Sequence, residues 1–438
     1  MEQYRCKKFP KNQSFIVEVP GSKSMTNRGL LLGALTKEDV ILKGVLFSDD
    51  ALVFMEALKD MGVDLIIDRS HHQVTVGGFV SEAFVENQKP KDIYVGSAGT
   101  AARFLTALLG LKGISCSVTA SEQMSKRPMK PLLKALEDLG VVFHFPEQEY
   151  AFPFEIVRRD PVPVTRVDLN IDESSQFLSA LMLAAPLCPD GLQIHLTGTR
   201  DARSYVTITS RMMEAFGVKV KKVDDNTYEI PPGACYHREQ AYAIEPDVSA
   251  ACYFYGLAAL TGGTCVVSYV KEDSMQGDMK FLRVLEQMGC TRCNDPEGIG
   301  MKGPKNGVLQ GVSVNMKDFS DQAITLACMA PFCQGETKIS GVGHIRKQES
   351  DRIHGIATEL SGLGVKVTEE DDGVTITPGP VKPGRVRTYE DHRMAMGFAM
   401  LGSVEGDVII EDPMCCKKTF ADYFTVLENL YDSLVDKS

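Results

Sequence analysis

A period of about 75 residues runs through this 438-residue chain and limits its fold more than any other feature. A helix-like stretch that ends in glycine and gives way to a strand-like run recurs five times. The copies are MEALKDMGVDLII, LLKALEDLGVVFHF, MMEAFGVKVKKV, FLRVLEQMGC and IATELSGLGVKVTE. Their glycines, Gly62, Gly140, Gly217, Gly289 and Gly364, are 78, 77, 72 and 75 residues apart. A glycine there closes a helix in the left-handed conformation and turns the chain into a strand.

A second helix type alternates with the first. It opens on a polar or charged cluster and continues through small apolar residues. Its copies are SKSMTNRGLLLGAL, SAGTAARFLTALL, SSQFLSALMLAA, DVSAACYFYGLAAL, SDQAITLACMA and DHRMAMGFAML, starting near residues 22, 97, 174, 247, 320 and 391. Helices apolar almost all round belong in an interior. Short β-branched runs such as VILKGV, CVVSYV, VTITPG and DVIIED read as strands between them. Each unit therefore carries two helices and several strands, and six units make an α/β chain. A single core stops growing near ~250–300 residues, so three units fall to each of two domains. The sixth unit lacks the strand that follows TFADYFTVLENL in its siblings, and the N-terminal run SFIVEVP is the expected donor. The domains then read as 21–240 and as 1–20 plus 241–438.

Composition removes several function classes. Forty-seven basic against fifty-eight acidic side chains leave −11, which disfavours nucleic acid as a partner. The longest apolar runs, FLTALLGL and CYFYGLAAL, fall short of the ~18–20 residues a membrane helix needs. MEQYRCKKFPKNQS has no apolar stretch behind it and does not read as a signal peptide. Twelve irregularly spaced cysteines read as reduced residues of a cytoplasmic protein. Cys290 and Cys293 have metal-ligand spacing but lack a second pair, and no HExxH occurs, so no metal is expected. Without GxxxxGK[ST] or GxGxxG, no nucleotide cofactor is implied.

The unusual residues sit at the starts of the buried helices. Ser22, Lys23, Ser24 and Arg28 open the first, and Gly99, Thr100 and Arg103 the second. Ser174, Ser175 and Gln176 open the third, Asp321 lies at the fifth, and Asp391, His392 and Arg393 open the sixth. Hydroxyls and carboxylates there are common caps. Lys23, Arg28, Arg103 and Arg393 instead oppose the helix dipole, and a bound anion is the simplest compensation. Further charge gathers in SKRPMK, where a helix started by Pro128 would leave Arg127 at its mouth. RKQESDR and the pair Lys417–Lys418 add two more clusters. An acidic chain with basic helix mouths points to a small, multiply charged substrate such as a phosphate or carboxylate ester.

The motifs PGSKSMTNR, SAGTAARFLTALL, SKRP, SSQFLSAL, ESDR, TYEDHRMAM and DP…C…KTFADYF, in this order, resemble those of the enolpyruvyl transferase family that includes EPSP synthases. The resemblance implies a two-domain inside-out α/β barrel of six βαβαββ repeats, with parallel buried helices and an active site in the cleft between domains. It also implies transfer of the enolpyruvyl group of phosphoenolpyruvate to the 5-hydroxyl of shikimate 3-phosphate, by a monomer with no cofactor, in a family targeted by glyphosate. By that pattern Lys23, Ser24, Arg28, Ser174, Ser175, Gln176, Tyr205, Asp321, His344 and Gln348 surround shikimate 3-phosphate. Lys23, Gly99, Arg127, Gln176, Arg352, Arg393 and Lys418 hold phosphoenolpyruvate. Asp321 is the base near the hydroxyl, Glu349 the acid toward the methylene carbon, and Lys23 a third catalytic group.

The chain departs from the pattern in places. Gln348 stands where the family usually has Lys, with Lys347 one residue earlier. His344 replaces a common Asn, Phe104 a common Pro, and Ala102 a larger side chain. Gln348 is expected to bond shikimate 3-phosphate directly and Lys347 to face solvent. Ala102 and Phe104 are expected to alter the room beside phosphoenolpyruvate. Two other readings compete. The sister transferase acting on UDP-N-acetylglucosamine carries a catalytic Cys on a loop around 110–130, whereas Cys116 here lies in the strand-like ISCSVTA. A non-catalytic binding protein on the same fold would have lost ionisable groups that this chain keeps.

Overall fold

The computed structural model describes residues 2–78, 92–199, 203–304 and 307–436. The chain divides into two compact units, Gly21–Ile244 and Met1–Pro20 with Glu245–Ser438. Twelve helices longer than one turn are described, in inner and outer sets. In the first unit α1 (Lys23–Leu35), α3 (Gly99–Lys112) and α5 (Gln176–Ala184) are inner. Between them come the outer helices α2 (Asp49–Asp60), α4 (Lys130–Asp138) and α6 (Arg203–Ala215). The second unit has inner α7 (Val248–Thr261), α9 (Ala323–Met329) and α11 (His392–Glu405). Its outer helices are α8 (Lys280–Gln287), α10 (Arg352–Gly362) and α12 (Tyr423–Val435).

The small apolar residues of the inner helices explain their burial. Every residue of α3 from Gly99 to Leu111 is buried. In the second unit the inner helices touch through glycines. A Cβ on Gly256 of α7 would lie 2.5 Å from Met400 Sδ of α11, and one on Gly397 of α11 would lie 2.8 Å from Ile324 Cγ2 of α9. The outer helices are amphipathic instead; α8 buries Phe281, Leu282, Val284 and Leu285 and exposes the rest.

The five periodic glycines have φ between 84° and 102°. At four of them the Schellman pair of bonds is complete, as where Gly62 N–H donates to Lys59 O and Val63 N–H to Leu58 O. The first five outer helices therefore stop where the sequence says, and the chain re-enters a sheet after each.

The sheets repeat one topology. In the second repeat Ile93–Tyr94 lies parallel to Cys116–Thr119, which pairs antiparallel with Phe154–Arg159, and Val141–His144 forms the edge. The third repeat (Arg166–Asn170, Leu192–Thr197, Thr227–Ile230, Lys221–Lys222) and the fifth (Ser313–Asn315, Thr337–Ser340, Gly373–Thr377, Lys366–Glu370) copy it. The first and fourth repeats open directly on a helix and need their first strand from elsewhere. Tyr242–Ala243 supplies it to the first, pairing parallel with Val40–Lys43. That pairing carries the unit boundary to Ile244 rather than 240.

The expected strand donor is corrected. Ser14–Val17, the core of SFIVEVP, runs parallel to Thr264–Ser268 and completes the fourth repeat. The sixth repeat is completed by Gln3–Arg5, antiparallel to Val408–Glu411. Among the described residues no helix is long and apolar enough to cross a membrane.

Candidate active site

In the first unit the three inner helices begin side by side, because their first turns are bonded together. Asn27 Nδ2 of α1 donates to Thr100 Oγ1 of α3 (2.6 Å), and Arg103 Nη1 of α3 to Gln176 Oε1 of α5 (2.6 Å). Arg28 Nη2 of α1 donates to Ser179 Oγ of α5 (3.0 Å). Lys23 Nζ stands 3.3 Å from Asp50 Oδ2, at the start of α2. Gly99 sits among the polar heads. A Cβ there would lie 2.5 Å from Arg103 Nη1 and 2.8 Å from both Arg127 Nη2 and Gln176 Oε1. Glycine at this mouth lets two guanidiniums and an amide converge.

The basic residues of these first turns have partners within the unit. Arg28 is buried, and each of its nitrogens donates inside the unit, to Thr209 Oγ1, Ser24 O and Ser179 Oγ. Burial pushes its guanidinium down to about 10. Arg103 is held lower than usual by burial and by Arg127, and it also donates to Pro128 O. Phe104 is fully buried with its ring 5.2 Å from the Arg28 guanidinium, and Ala102 is fully buried too. Phe104 thus acts through its packing on Arg28. Arg127 follows the single turn Glu122–Ser125, and α4 begins at Lys130 with Pro131 in its first turn, so Pro128 starts no helix. Ser24, Ser174, Gln176 and Tyr205 are half-buried, and Ser175 is buried.

The second unit gathers the carboxylates. Arg352, the first residue of α10, is 2% exposed. Its Nε and Nη2 grip Asp391 (2.8 and 3.3 Å), and its Nη1 reaches Asp321 (3.1 Å). Burial alone would lower this guanidinium, but Asp391, Asp321 and Glu349 together raise it. Asp391 caps α11 by accepting from Arg393 N (2.9 Å); burial opposes its charge, yet Arg352 holds it below the usual carboxylate range. Arg393 Nη2 donates to the other oxygen of Asp321 (2.8 Å), so two guanidiniums hold one carboxylate. Glu349 Oε2 lies 2.9 Å from Nδ1 of the buried His392. His344 Nε2 lies 2.8 Å from Ser320 Oγ, beside Asp321. Lys418 Nζ donates to Glu390 O (3.2 Å), at the second of two left-handed residues, Tyr389 and Glu390, that precede the Asp391 cap.

Gln348 is committed within the protein, its Oε1 accepting from Arg352 Nη1. A lysine there would set two cations against each other; the amide oxygen instead tethers the guanidinium. Lys347 is exposed. The donor atoms of Glu349, Asp391 and His392 lie within 4.8 Å of one another. A metal there would have to displace Arg352, Ser350 and the Arg393 N–H from Asp391. The cluster is an ion-pair network.

Comparison with known proteins agrees with these motifs along the whole chain. The family model for EPSP synthase (3-phosphoshikimate 1-carboxyvinyltransferase) matches residues 8–427. The chain belongs to the EPSP synthase family. It is similar to the 3-phosphoshikimate 1-carboxyvinyltransferase of Trichormus variabilis, 40% identical over 409 residues that cover 93% of this chain and 94% of the relative. The Escherichia coli O6:H1 enzyme of that name is 36% identical over 417 residues, covering 94% and 96%. Among solved structures, an EPSP synthase from Acinetobacter baumannii superimposes with a TM-score of 0.81 at 26% identity, covering 98% of each chain. The enolpyruvyl transferase NikO from Streptomyces tendae shares the fold, with a TM-score of 0.74 at 15% identity over 98% of this chain and 96% of its own.

Several groups of these networks escaped the sequence reading. Asp50, Ser179 and Thr209 look like ordinary cap or helix residues. Only the pairing of distant segments gives them a place.

Proposed function

We propose that this EPSP-synthase-family chain is an enolpyruvyl transferase that joins phosphoenolpyruvate to the 5-hydroxyl of shikimate 3-phosphate and releases phosphate. The observation that carries the reading is Asp321, a half-buried carboxylate held between Arg352 and Arg393 in a setting built for anions. It supports Asp321 as the base that takes the hydroxyl proton. Glu349 gives its proton to the methylene carbon of phosphoenolpyruvate, which makes C2 electrophilic. The hydroxyl oxygen bonds to C2 as its proton passes to Asp321; the tetrahedral adduct then loses phosphate, which leaves as hydrogen phosphate with that proton, while a methyl proton returns to Glu349. Lys23, Gly99, Arg127, Gln176, Arg352, Arg393 and Lys418 bind phosphoenolpyruvate and neutralise its charge through the transition state. Lys23, Ser24, Arg28, Ser174, Ser175, Gln176, Tyr205, His344 and Gln348 surround shikimate 3-phosphate. Arg28 and Gln348 do so largely by holding their neighbours. No metal or cofactor enters the scheme, and the enzyme works as a monomer in a reducing cytoplasm.

The test is phosphate release from phosphoenolpyruvate with each acceptor. Release with shikimate 3-phosphate and not with UDP-N-acetylglucosamine is expected. Silence with shikimate 3-phosphate overturns the proposal.

A further inference from the structure

We propose that Asp278 is a positioning residue, which holds the Ser320–Gln322 turn from behind and shares Arg393 with Asp321, so that it tunes how firmly Arg393 grips an anionic substrate. The inference rests on the reading of Arg393 as a phosphoenolpyruvate contact. Asp278 lies in the 3-10 turn Gly277–Met279 that leads into α8. Its Oδ2 accepts from Ser249 Oγ, in the first turn of α7, and from Gln322 Nε2 (3.1 Å). Gln322 is fully buried and is fixed at its other end, where its Oε1 accepts from Thr325 Oγ1 (2.9 Å). Because Gln322 follows Asp321 directly, the clamp on its side chain fixes the backbone that carries the base.

Burial first, and then the Asp321 carboxylate, push Asp278 up to about 6, while Arg393, Ser249 and Gln322 pull the other way. The Cys252 thiol of α7 also faces it, and that thiol feels Asp247, the cap of α7. On its own stretch, Lys280 is paired with Asp318. Below about pH 6 Asp278 is neutral, and Arg393 serves Asp321 and the substrate alone. Above it, a second carboxylate draws on the same guanidinium.

Asp278→Asn removes the charge and keeps an oxygen that accepts from Ser249 and Gln322. The KM for phosphoenolpyruvate should be the same in variant and wild type at pH 5. At pH 8 the wild-type KM should exceed the variant's by about three- to tenfold. Taking the ratio cancels the ionisation of the substrate's own phosphate. Ser249→Ala removes a donor that favours the ionised form, so the wild-type inflection should move to higher pH. A carboxyl raised on folding costs stability that sets in as pH rises through the unfolded value of ~3.9 and is complete above the folded value of about 6. The asparagine variant should therefore melt higher than wild type at pH 8 and level with it at pH 4. A KM ratio independent of pH, with an unmoved inflection in Ser249→Ala, overturns the proposal. If wild type releases no phosphate at all, the functional reading fails instead. The melting comparison then decides the charge of Asp278, and equal melting differences at both pH values overturn it.

Discussion

At the residue scale the site is a set of charges that fix one another. Replacing Asp321 by Asn or Glu349 by Gln keeps shape and removes an ionisable proton. Turnover should fall by about 10²-fold or more in each, with substrate binding weakened far less; steady-state kinetics beside equilibrium titration separates the two. Asp391 makes a stability statement. It is fully buried and held below the usual carboxylate range, so its contribution is complete above its unfolded value near ~3.9 and is lost as pH falls through the lower folded value. Asp391→Asn leaves Arg352 short of a partner and should cost about 3–5 kcal/mol at pH 7, the usual toll of breaking a buried pair. In urea melts the gap to wild type should close as pH falls below about 4. The reactive residue types were legible because Lys, Arg and Asp at apolar helix starts break the usual pattern. Their partners were not. Asp50 lies 27 residues from Lys23 and Thr209 lies 181 from Arg28, distances that no local pattern encodes.

At the element scale, the glycine that ends each outer helix was readable because a left-handed C-cap is a local demand. The cost of violating it is set by the neighbours. At Gly217, φ is 88° and a Cβ would meet nothing closer than 3.5 Å, so Gly217→Ala bears only the conformational penalty of about 1–2 kcal/mol. At Gly140, φ is also 88°, but a Cβ would lie 2.1 Å from Asp160 O. That oxygen belongs to backbone whose own N–H donates to Gly140 O (2.8 Å), so it has nowhere to move cheaply. Gly140→Ala should cost about twice as much as Gly217→Ala or more, measured as the difference in chemical denaturation midpoints. Equal costs would show that the 140–160 connection adapts. The strand donors were harder to read. Gln3–Arg5 has three residues, below the four to eight by which a strand is usually recognised, whereas SFIVEVP announces itself and was assigned to the wrong repeat. Pattern identifies a strand, but the partner is chosen by the tertiary closure of the unit.

At the scale of the whole molecule, chain order and structural order disagree by one strand, and the N-terminus bears the consequence. The first 20 residues belong to the unit that otherwise begins at Glu245. They give that unit two strands, one to the fourth repeat and one to the sixth, and they bury Tyr4, Cys6, Phe9, Phe15 and Val17 in its core. Tyr4 packs on Phe424 with ring centroids 4.6 Å apart, and Phe9 on Tyr431 at 5.4 Å, so the same segment also seats α12. Without residues 2–17, Thr264–Ser268 and Val408–Glu411 become open edges and α12 loses its aromatic contacts. Burying a large apolar side chain contributes about 1.5–3 kcal/mol, so losing five is comparable to the whole stability of an ordinary domain. A chain lacking residues 2–17 should therefore lose the order of the unit containing Glu245–Ser438, while Gly21–Ile244, which takes no strand from this segment, stays folded. Limited proteolysis with mass spectrometry reads this directly. Early cuts should crowd into 245–438 and leave a protected fragment near 21–244. Uniform protection of the truncated chain would mean that the six repeats close without their borrowed strands.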